Sequence, residues 1–229
     1  MTLNPDTVAI PSSLRERKKQ ATRLALRRIA LDLIAERGFS QVTVDDIAAA
    51  ADVSPRTFFN YFPTKEAALF GASPERLEAL RHGIVHHAPD ESALEALRAV
   101  LVAEARARAA DLSDLGGDTA DWLRRMKSAH SDVHLRAALA SHMAMVERVI
   151  TTALAERLNT DPDRDPYPAL LAAASTGVMR ATMGFWADAG GGLALDELTD
   201  LACQALAAGL PEDCALRNTA ATAERKHGS

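Results

Sequence analysis

Residues 43–65 read TVDDIAAAADVSPRTFFNYFPTK, and this stretch decides the fold. It fits two short helices joined by a tight turn. Ser54 suits the N-cap of the second helix and Pro55 its first position. Three Phe and one Tyr follow within residues 58–62, although the whole chain holds only 6 Phe, 2 Tyr and 2 Trp. Because a helix this short is unstable alone, we expect a neighbouring element to hold one face and leave the other free.

The preceding segment predicts the element that holds it. Residues 14–37 carry one apolar stripe at helical spacing, and Gly38 predicts a left-handed end to this helix. Thr43 and Asp46 have the spacing of a capping box, which predicts a second helix over 44–50. A third helix is predicted over 55–61. The three form a helix-turn-helix head in which Asp52, a residue that tolerates a left-handed backbone, occupies the turn.

The aromatic residues of the third helix divide between two faces. Phe58 and Phe62 are four residues apart, so they share one face and are predicted to be core. The opposite face carries groups that suit the major groove of DNA. Arg56 can donate to guanine, Asn60 can pair with adenine, and Phe59 can contact a thymine methyl. Any one of these residues alone would be ordinary surface, but a free Phe59 predicts a partner that covers it.

Charge is unevenly distributed along the chain. The net charge is −5, yet residues 1–70 hold 10 Lys and Arg against 8 Asp and Glu. Residues 14–28 hold seven basic residues and only one acid, Glu16. Such a basic run suits a polyanion, and a solvated helix face is the open alternative. The acidic remainder argues against nonspecific coating of nucleic acid.

The remainder of the chain also reads as helical. Helices are predicted from 65 into the 80s with a possible break at 71–74, and over about 91–110, 119–129, 132–158, 167–189 and 196–209. The fold class is therefore all-α, with about nine helices. The predicted parts are a flexible arm (1–13), the DNA-binding head (14–66), a helical ligand-binding and dimerisation body (67–210) and a disordered tail (211–229).

Several function classes lack support in the sequence. There is no long uncharged apolar run, no signal peptide and only two cysteines, so we expect a cytoplasmic protein without a membrane span. No phosphate-binding loop, nucleophile elbow or dinucleotide fingerprint occurs, so neither an enzyme nor a cofactor is expected. The pairs His82/His86 and His130/His134 have a spacing that can bind metal, but no further ligand completes either set.

Three segments resemble the TetR/AcrR family of bacterial transcription regulators: ALDLIAERGF (30–39), VTVDDIAAAADVS (42–54) and TFFNYFPTKEAAL (57–69). The resemblance implies a homodimer that binds a palindromic DNA operator, near the nucleoid, and releases it when a small molecule enters the body. It also implies DNA contacts from Thr43, Pro55, Arg56, Thr57, Phe59, Asn60, Tyr61 and Lys65. The family often has His where this chain has Tyr61. An activator, or an adaptor that binds protein, is the alternative reading.

The sequence of the body (67–210) indicates less about function than that of the head. Its last two long helices are rich in Ala and Leu, which suits the dimer interface implied by the resemblance; a monomer core is the alternative. A lipophilic effector needs apolar, adaptable walls with a few polar groups. The candidate effector-binding residues are Trp122, Met126, His142, Met143, Met145, Met179, Arg180, Met183 and Trp186. For each apolar one, ordinary core packing is the alternative. Arg180 could meet an anionic ligand or an acid across an interface.

Overall fold

A computed structural model describes residues 14–115, 132–189 and 193–216. Within these ranges all regular structure is helical, which confirms the predicted all-α fold class. One 3₁₀ turn spans Phe39–Gln41. The nine described α-helices are α1 (Leu14–Arg37), α2 (Val44–Ala50), α3 (Pro55–Phe59), α4 (Lys65–Phe70), α5 (Pro74–Val85), α6 (Ala93–Asp114), α7 (Val133–Leu158), α8 (Tyr167–Asp188) and α9 (Leu195–Ala207).

Local sequence signals set the boundaries of the head helices. The Asp46 amide donates to Thr43 Oγ1 at 3.1 Å, and Asp46 Oδ2 accepts from the Thr43 amide at 2.8 Å, which completes the predicted capping box. Asp52 has φ 53°, so the turn before α3 is left-handed as expected. Gly38 ends α1, but its φ of 86° and ψ of 152° differ from the left-handed helical cap that we expected. This backbone region is open essentially to glycine alone.

Helix α3 is two residues shorter than the sequence predicted. Its start is as expected, since the Ser54 hydroxyl accepts from the Thr57 amide at 3.1 Å and Pro55 follows. At the other end, the amides of Tyr61 and Phe62 both donate to the Phe58 carbonyl, at 2.9 and 3.0 Å. This tighter last turn replaces regular helix. Proline at 63 contributes, because it disfavours helical backbone in the residue before it.

The break that the sequence suggested at 71–74 is present, and it separates α4 from α5. Gly71 ends α4 with φ 66° and ψ 19°, and Ser73 caps α5, whose first residue is Pro74. Gly71 also lies close to α1, because a Cβ atom there would stand 2.8 Å from Arg27 Cζ. The break therefore allows the chain to turn tightly against the first helix.

Two groups of buried apolar residues form the core. One group, which we call the junction core, joins head residues such as Phe58 and Phe62 to body residues such as Leu112 and Trp186. Both phenylalanines are fully buried, as predicted. The other group fills the body between α5, α6, α7, α8 and α9. The junction core continues across the predicted boundary at residue 66, so apolar contacts hold the head against the body.

Some sequence predictions lie outside the described residues: the arm (1–13), the helix over 119–129 with Trp122 and Met126, the residue His130, and the tail from 217 onward. Residues 211–216 are described, and Leu216 packs partly buried against both apolar groups. Contacts of the body thus extend past residue 210. In the described ranges, no helix combines the length and apolarity needed to cross a membrane.

Candidate functional sites: a head surface and a body cavity

The outer face of α3 forms the first candidate site. Pro55, Arg56 and Asn60 are exposed, and 53% of the Phe59 surface is accessible. Phe59 packs edge-on against the buried Phe58, with ring centroids 5.8 Å apart. The helix therefore has one face fixed in the core and one face free, as the sequence predicted. Thr57 and Tyr61 lie between the two faces and are half-buried.

Two of the candidate DNA-contacting hydroxyls also hold helix ends. The Thr43 hydroxyl donates to Asp46 Oδ2 within the capping box, and the Thr57 hydroxyl lies 2.9 Å from the Ser54 hydroxyl. Thr43 remains exposed at the N-terminus of α2. The Thr43 hydroxyl hydrogen is engaged in its local bond, and both hydroxyl oxygens keep spare acceptor capacity.

Lys65 lies in a more constrained place than a free surface cation. Its Nζ donates to the carbonyls of Phe39 and Val42, both at 2.8 Å, and lies 4.2 Å from the centroid of the Phe39 ring. These bonds fasten the start of α4 to the segment between α1 and α2. An ammonium has three donors, and these two carbonyls use two of them.

The basic run of α1 is divided by the fold. Arg17 and Lys18 are exposed. Lys19 and Arg23 reach Glu75 of α5, at 3.5 and 3.9 Å, so part of this charge is neutralised by the body. Another member of the run, Arg27, points inward and is buried. The sequence did not reveal this, because Arg27 belongs to a basic run that reads as surface.

A cavity of about 870 Å³ in the body forms the second candidate site. That volume is within the range of small-molecule sites. Five of the candidate effector-binding residues line it: His142, Met143, Met179, Arg180 and Met183. Trp186 does not line it; it is buried in the junction core, where its indole N–H donates to the Leu193 carbonyl at 2.8 Å. Lining residues that the sequence did not single out include Arg27, Phe70, Leu101, Glu104, Arg108, Leu112, Leu135, Arg136, Leu139 and Leu195.

A cluster of charged residues from α1, α5 and α6 meets the cavity at Arg27, Glu104 and Arg108, and we call this side of the cavity its inner end. We call Arg27, Arg76, Glu104, Arg108 and Asp111 the junction charge cluster. Arg76 donates to Glu104 Oε1 at 2.7 Å and to Asp111 Oδ2. Arg27 is 3.6 Å from Asp111, and Arg108 is 3.6 Å from Glu104. Three cations thus share two carboxylates, and Arg76 makes the shortest bond to each.

His142 lies beside this cluster. Its imidazole stacks on the Phe70 ring, with centroids 4.8 Å apart and planes 16° from parallel. Burial, followed by the positive charge of Arg108, lowers the pKa of His142 to about 4. The imidazole is therefore neutral near pH 7 and can both donate and accept a hydrogen bond.

Only the first of the two predicted histidine pairs lies wholly within the described ranges, because His130 is outside them. The rings of His82 and His86 stack with centroids 4.2 Å apart, and His86 Nδ1 lies 3.2 Å from the His82 carbonyl. Among the described residues, no group of three His, Cys, Asp or Glu side chains is arranged to hold a metal ion.

Helix α8 carries an exposed stripe of apolar and small residues. Leu170 is 65% accessible, and Ala173 is exposed on the same face. Farther along, a Cβ atom added to Gly177 or Gly184 would meet nothing within 4 Å. Small residues in such a row allow another helix to approach closely, so this face suits a helix from a second subunit.

Comparisons with known proteins match both parts of the chain. The family model described as bacterial regulatory proteins, tetR family, matches residues 26–72, and the MftR C-terminal domain model matches residues 91–211. The HTH-type transcriptional regulator TcmR of Streptomyces glaucescens is 31% identical over 188 residues, which cover 80% of this chain and 81% of TcmR. The mycofactocin biosynthesis regulator MftR of Mycobacterium tuberculosis is 36% identical over 88 residues, covering 38% of this chain and 44% of MftR.

Solved structures of similar proteins are also available. A TetR-family transcriptional regulator from Rhodococcus sp. has 19% sequence identity and a TM-score of 0.49, over 84% of this chain and 100% of that chain. A TetR-family regulator from Streptomyces coelicolor has 22% identity and a TM-score of 0.42, over 91% of this chain and 86% of that chain.

Proposed function

The chain belongs to the TetR family of bacterial transcriptional regulators, and we propose that it is a repressor that a small molecule releases from DNA. In this proposal a homodimer binds a palindromic operator, and an apolar effector enters the body cavity. Members of this family are DNA-binding regulators and not enzymes, in agreement with the sequence analysis.

The observation that carries the DNA-binding part is the two-faced α3 helix. Its inner face is fixed by the fully buried Phe58 and Phe62, and its outer face presents Phe59 beside Arg56 and Asn60. An exposed aromatic ring next to two side chains that can read base edges suits the major groove. The exposed basic residues near the start of α1 suit phosphates, which position the reader without specifying sequence.

The dimer part is supported by the exposed stripe on α8. Two copies packed through α8, with α9 beside it, would present two recognition helices. Reading a palindrome requires these helices to lie about 34–36 Å apart, one turn of DNA. We expect the Leu170–Gly184 side of α8 to lie at the centre of this interface.

The release part is supported by the position of the cavity. Leu69 and Phe70 of α4 line it, and Lys65 fastens the first turn of α4 to the head. A molecule that fits better when α4 is displaced would shift the spacing of the two heads. It can shift that equilibrium only by the difference in its affinity for the two states.

The direct test is binding of the purified dimer to DNA from its own promoter region, followed by fluorescence anisotropy at fixed salt. We expect Arg56→Ala and Asn60→Ala each to weaken operator binding by about 1–3 kcal/mol, roughly 5- to 150-fold, while nonspecific binding changes little. Arg148→Ala, at an exposed position of α7, serves as the matched control.

The same variants separate the repressor from its alternatives. If the protein is an activator, it binds the operator in the same way, and replacing Arg56 lowers transcription of the regulated gene. If it is a repressor, the same replacement raises transcription. An adaptor that binds protein would show no operator discrimination to lose. If a folded wild-type dimer does not bind DNA from its own promoter region at moderate salt, the proposal is contradicted.

A further inference from the structure

The cavity has apolar walls but an excess of positive charge. Among its described lining residues, the cations are Arg27, Arg108, Arg136 and Arg180, whereas the acids are Glu104 and Asp188. Arg27 and Arg108 are the two that also belong to the junction charge cluster. Buried cations cost free energy unless a negative group is close, so the inner end of the cavity suits a negatively charged ligand group.

Arg27 is the less neutralised of the two. Its side chain is 5% accessible, and its Nε has no hydrogen-bond partner within the described residues. Its nearest carboxylate, Asp111, binds Arg76 more closely. Burial, followed by the charge of Arg108, lowers the pKa of Arg27 to about 10, which still leaves it charged at neutral pH. The same guanidinium occupies space that a side chain at residue 71 would fill, because a Cβ atom on Gly71 would lie 2.8 Å from Arg27 Cζ.

Arg108 is held in a similar way. It donates to the Phe70 carbonyl at 3.2 Å, and its carboxylate neighbour Glu104 is engaged by Arg76 at 2.7 Å. Burial lowers the pKa of Arg108 as well. Next to it, the neutral imidazole of His142 faces the same cavity and can donate a hydrogen bond. Two guanidiniums and an imidazole therefore lie at the inner end of the cavity, beside the Glu104 carboxylate that Arg76 engages.

We propose that the effector is an apolar molecule with one carboxylate, which binds at the inner end of the cavity between Arg27 and Arg108 while its apolar part lies against Leu101, Met143 and Met183. This assignment rests on the proposed function, because it names the effector class of that cavity. It adds a direct connection to DNA binding: Arg27 belongs to α1, so the carboxylate would contact the head itself and not only α4.

The experiment uses two pairs of probes with the same carbon skeleton, one member carrying a carboxylate and the other a neutral hydroxymethyl group: decanoate with 1-decanol, and 2-naphthoate with 2-naphthalenemethanol. Affinities are measured by isothermal titration calorimetry on the full chain at pH 7.5, where both carboxylates are ionised. We expect at least one carboxylate to bind about tenfold or more tighter than its alcohol, the difference expected for hydrogen bonds to a charged group.

Arg27→Met and Arg108→Met test the site, because they remove the charge and keep an unbranched apolar side chain in place of the aliphatic part of arginine. Each should reduce the preference for the carboxylate to roughly threefold or less without weakening alcohol binding. Arg106→Met is the matched control, since Arg106 is exposed on the same helix as Arg108 and pairs with Asp196 outside the cavity. It should leave the preference unchanged.

Alcohol binding also reports whether each variant keeps its cavity. If one variant binds neither the carboxylate nor the alcohol, the other variant alone tests the site. If neither variant binds either ligand, the two arginines are structural and the proposal is overturned. Equal affinity for carboxylate and alcohol in the wild type, or no carboxylate binding at millimolar concentration, would overturn it too. These measurements need no DNA. If the protein prefers the carboxylate but the carboxylate does not release the operator, the assigned effector class stands and only the release mechanism is contradicted.

Discussion

His142 combines two roles at one position. Its ring stacks on Phe70 of α4, and it lies beside the positive charge of Arg108. Protonation of His142 would place a further cation in the junction charge cluster, which already has more cations than carboxylates. We therefore expect this residue to make the body sensitive to acid, in a pH window set by the difference between its folded and unfolded pKa.

The sign of this effect follows from proton binding. The unfolded histidine takes up its proton near pH 6.5 and the folded one only near pH 4, so the unfolded state binds more protons between these values. The contribution of His142 is complete above pH 6.5 and is lost as pH falls toward 4. The loss is at most about 3 kcal/mol, and smaller to the extent that solvent reaches the ring.

We expect His142→Phe, which keeps a ring for stacking, to flatten the pH dependence of unfolding over this window. Urea denaturation at pH 7.5, 6.0 and 5.0 would measure it. His134→Phe, at an exposed position near the start of α7, is the control and should leave the slope as in the wild type. Equal slopes in all three proteins would show that His142 does not carry the effect.

The short helices of the head depend on their first residues. Because α2 has only seven residues, the hydrogen bonds to its N-terminal amides contribute a large fraction of its stability. Thr43→Ala should lower the free energy of unfolding by about 1 kcal/mol, whereas Thr43→Ser should retain most of the cap. Thermal or urea unfolding of both variants measures this, and equal loss in the two would contradict a capping role.

The same elements explain what the sequence could predict. Caps were predictable because the bonding groups of Thr43 and Asp46, or Ser54 and Thr57, are three residues apart. The inward face of α3 followed from the spacing of Phe58 and Phe62. Other features depend on distant segments. The direction of Arg27 is set by α4 to α6, and no local pattern distinguishes it from its exposed neighbours. The early end of α3 reflects a tightened turn that residue types alone did not reveal.

At the scale of the whole molecule, the exposed stripe on α8 predicts how two copies associate. A side chain at Gly177 would enter open space within one subunit, so the monomer fold should accept Gly177→Glu, and replacing a mid-helix glycine removes a helix-weakening residue. A buried carboxylate at a subunit interface would be strongly unfavourable. We expect this variant to become monomeric with helical content intact and to lose operator binding.

Analytical ultracentrifugation measures the association state of the variant, and circular dichroism measures its helical content. Glu substituted for Ala137, at an exposed position on α7, is the control and should leave the association state unchanged. A Gly177→Glu protein that remains a dimer at the wild-type concentration range would place the interface elsewhere.

The junction core also limits how this protein could be recombined with others. Its buried side chains come from α1 to α4 on one side and from α6 to α9 on the other, so cutting the gene near residue 66 would expose apolar surface on both products. A chimera that joins this head to a foreign effector-binding body would need to inherit the contacts of Leu112, Leu135 and Leu195 as well. If α3 reads the operator and the body cavity binds the effector, as proposed, exchanging either part between regulators would require replacing the buried residues on both sides of the junction core together.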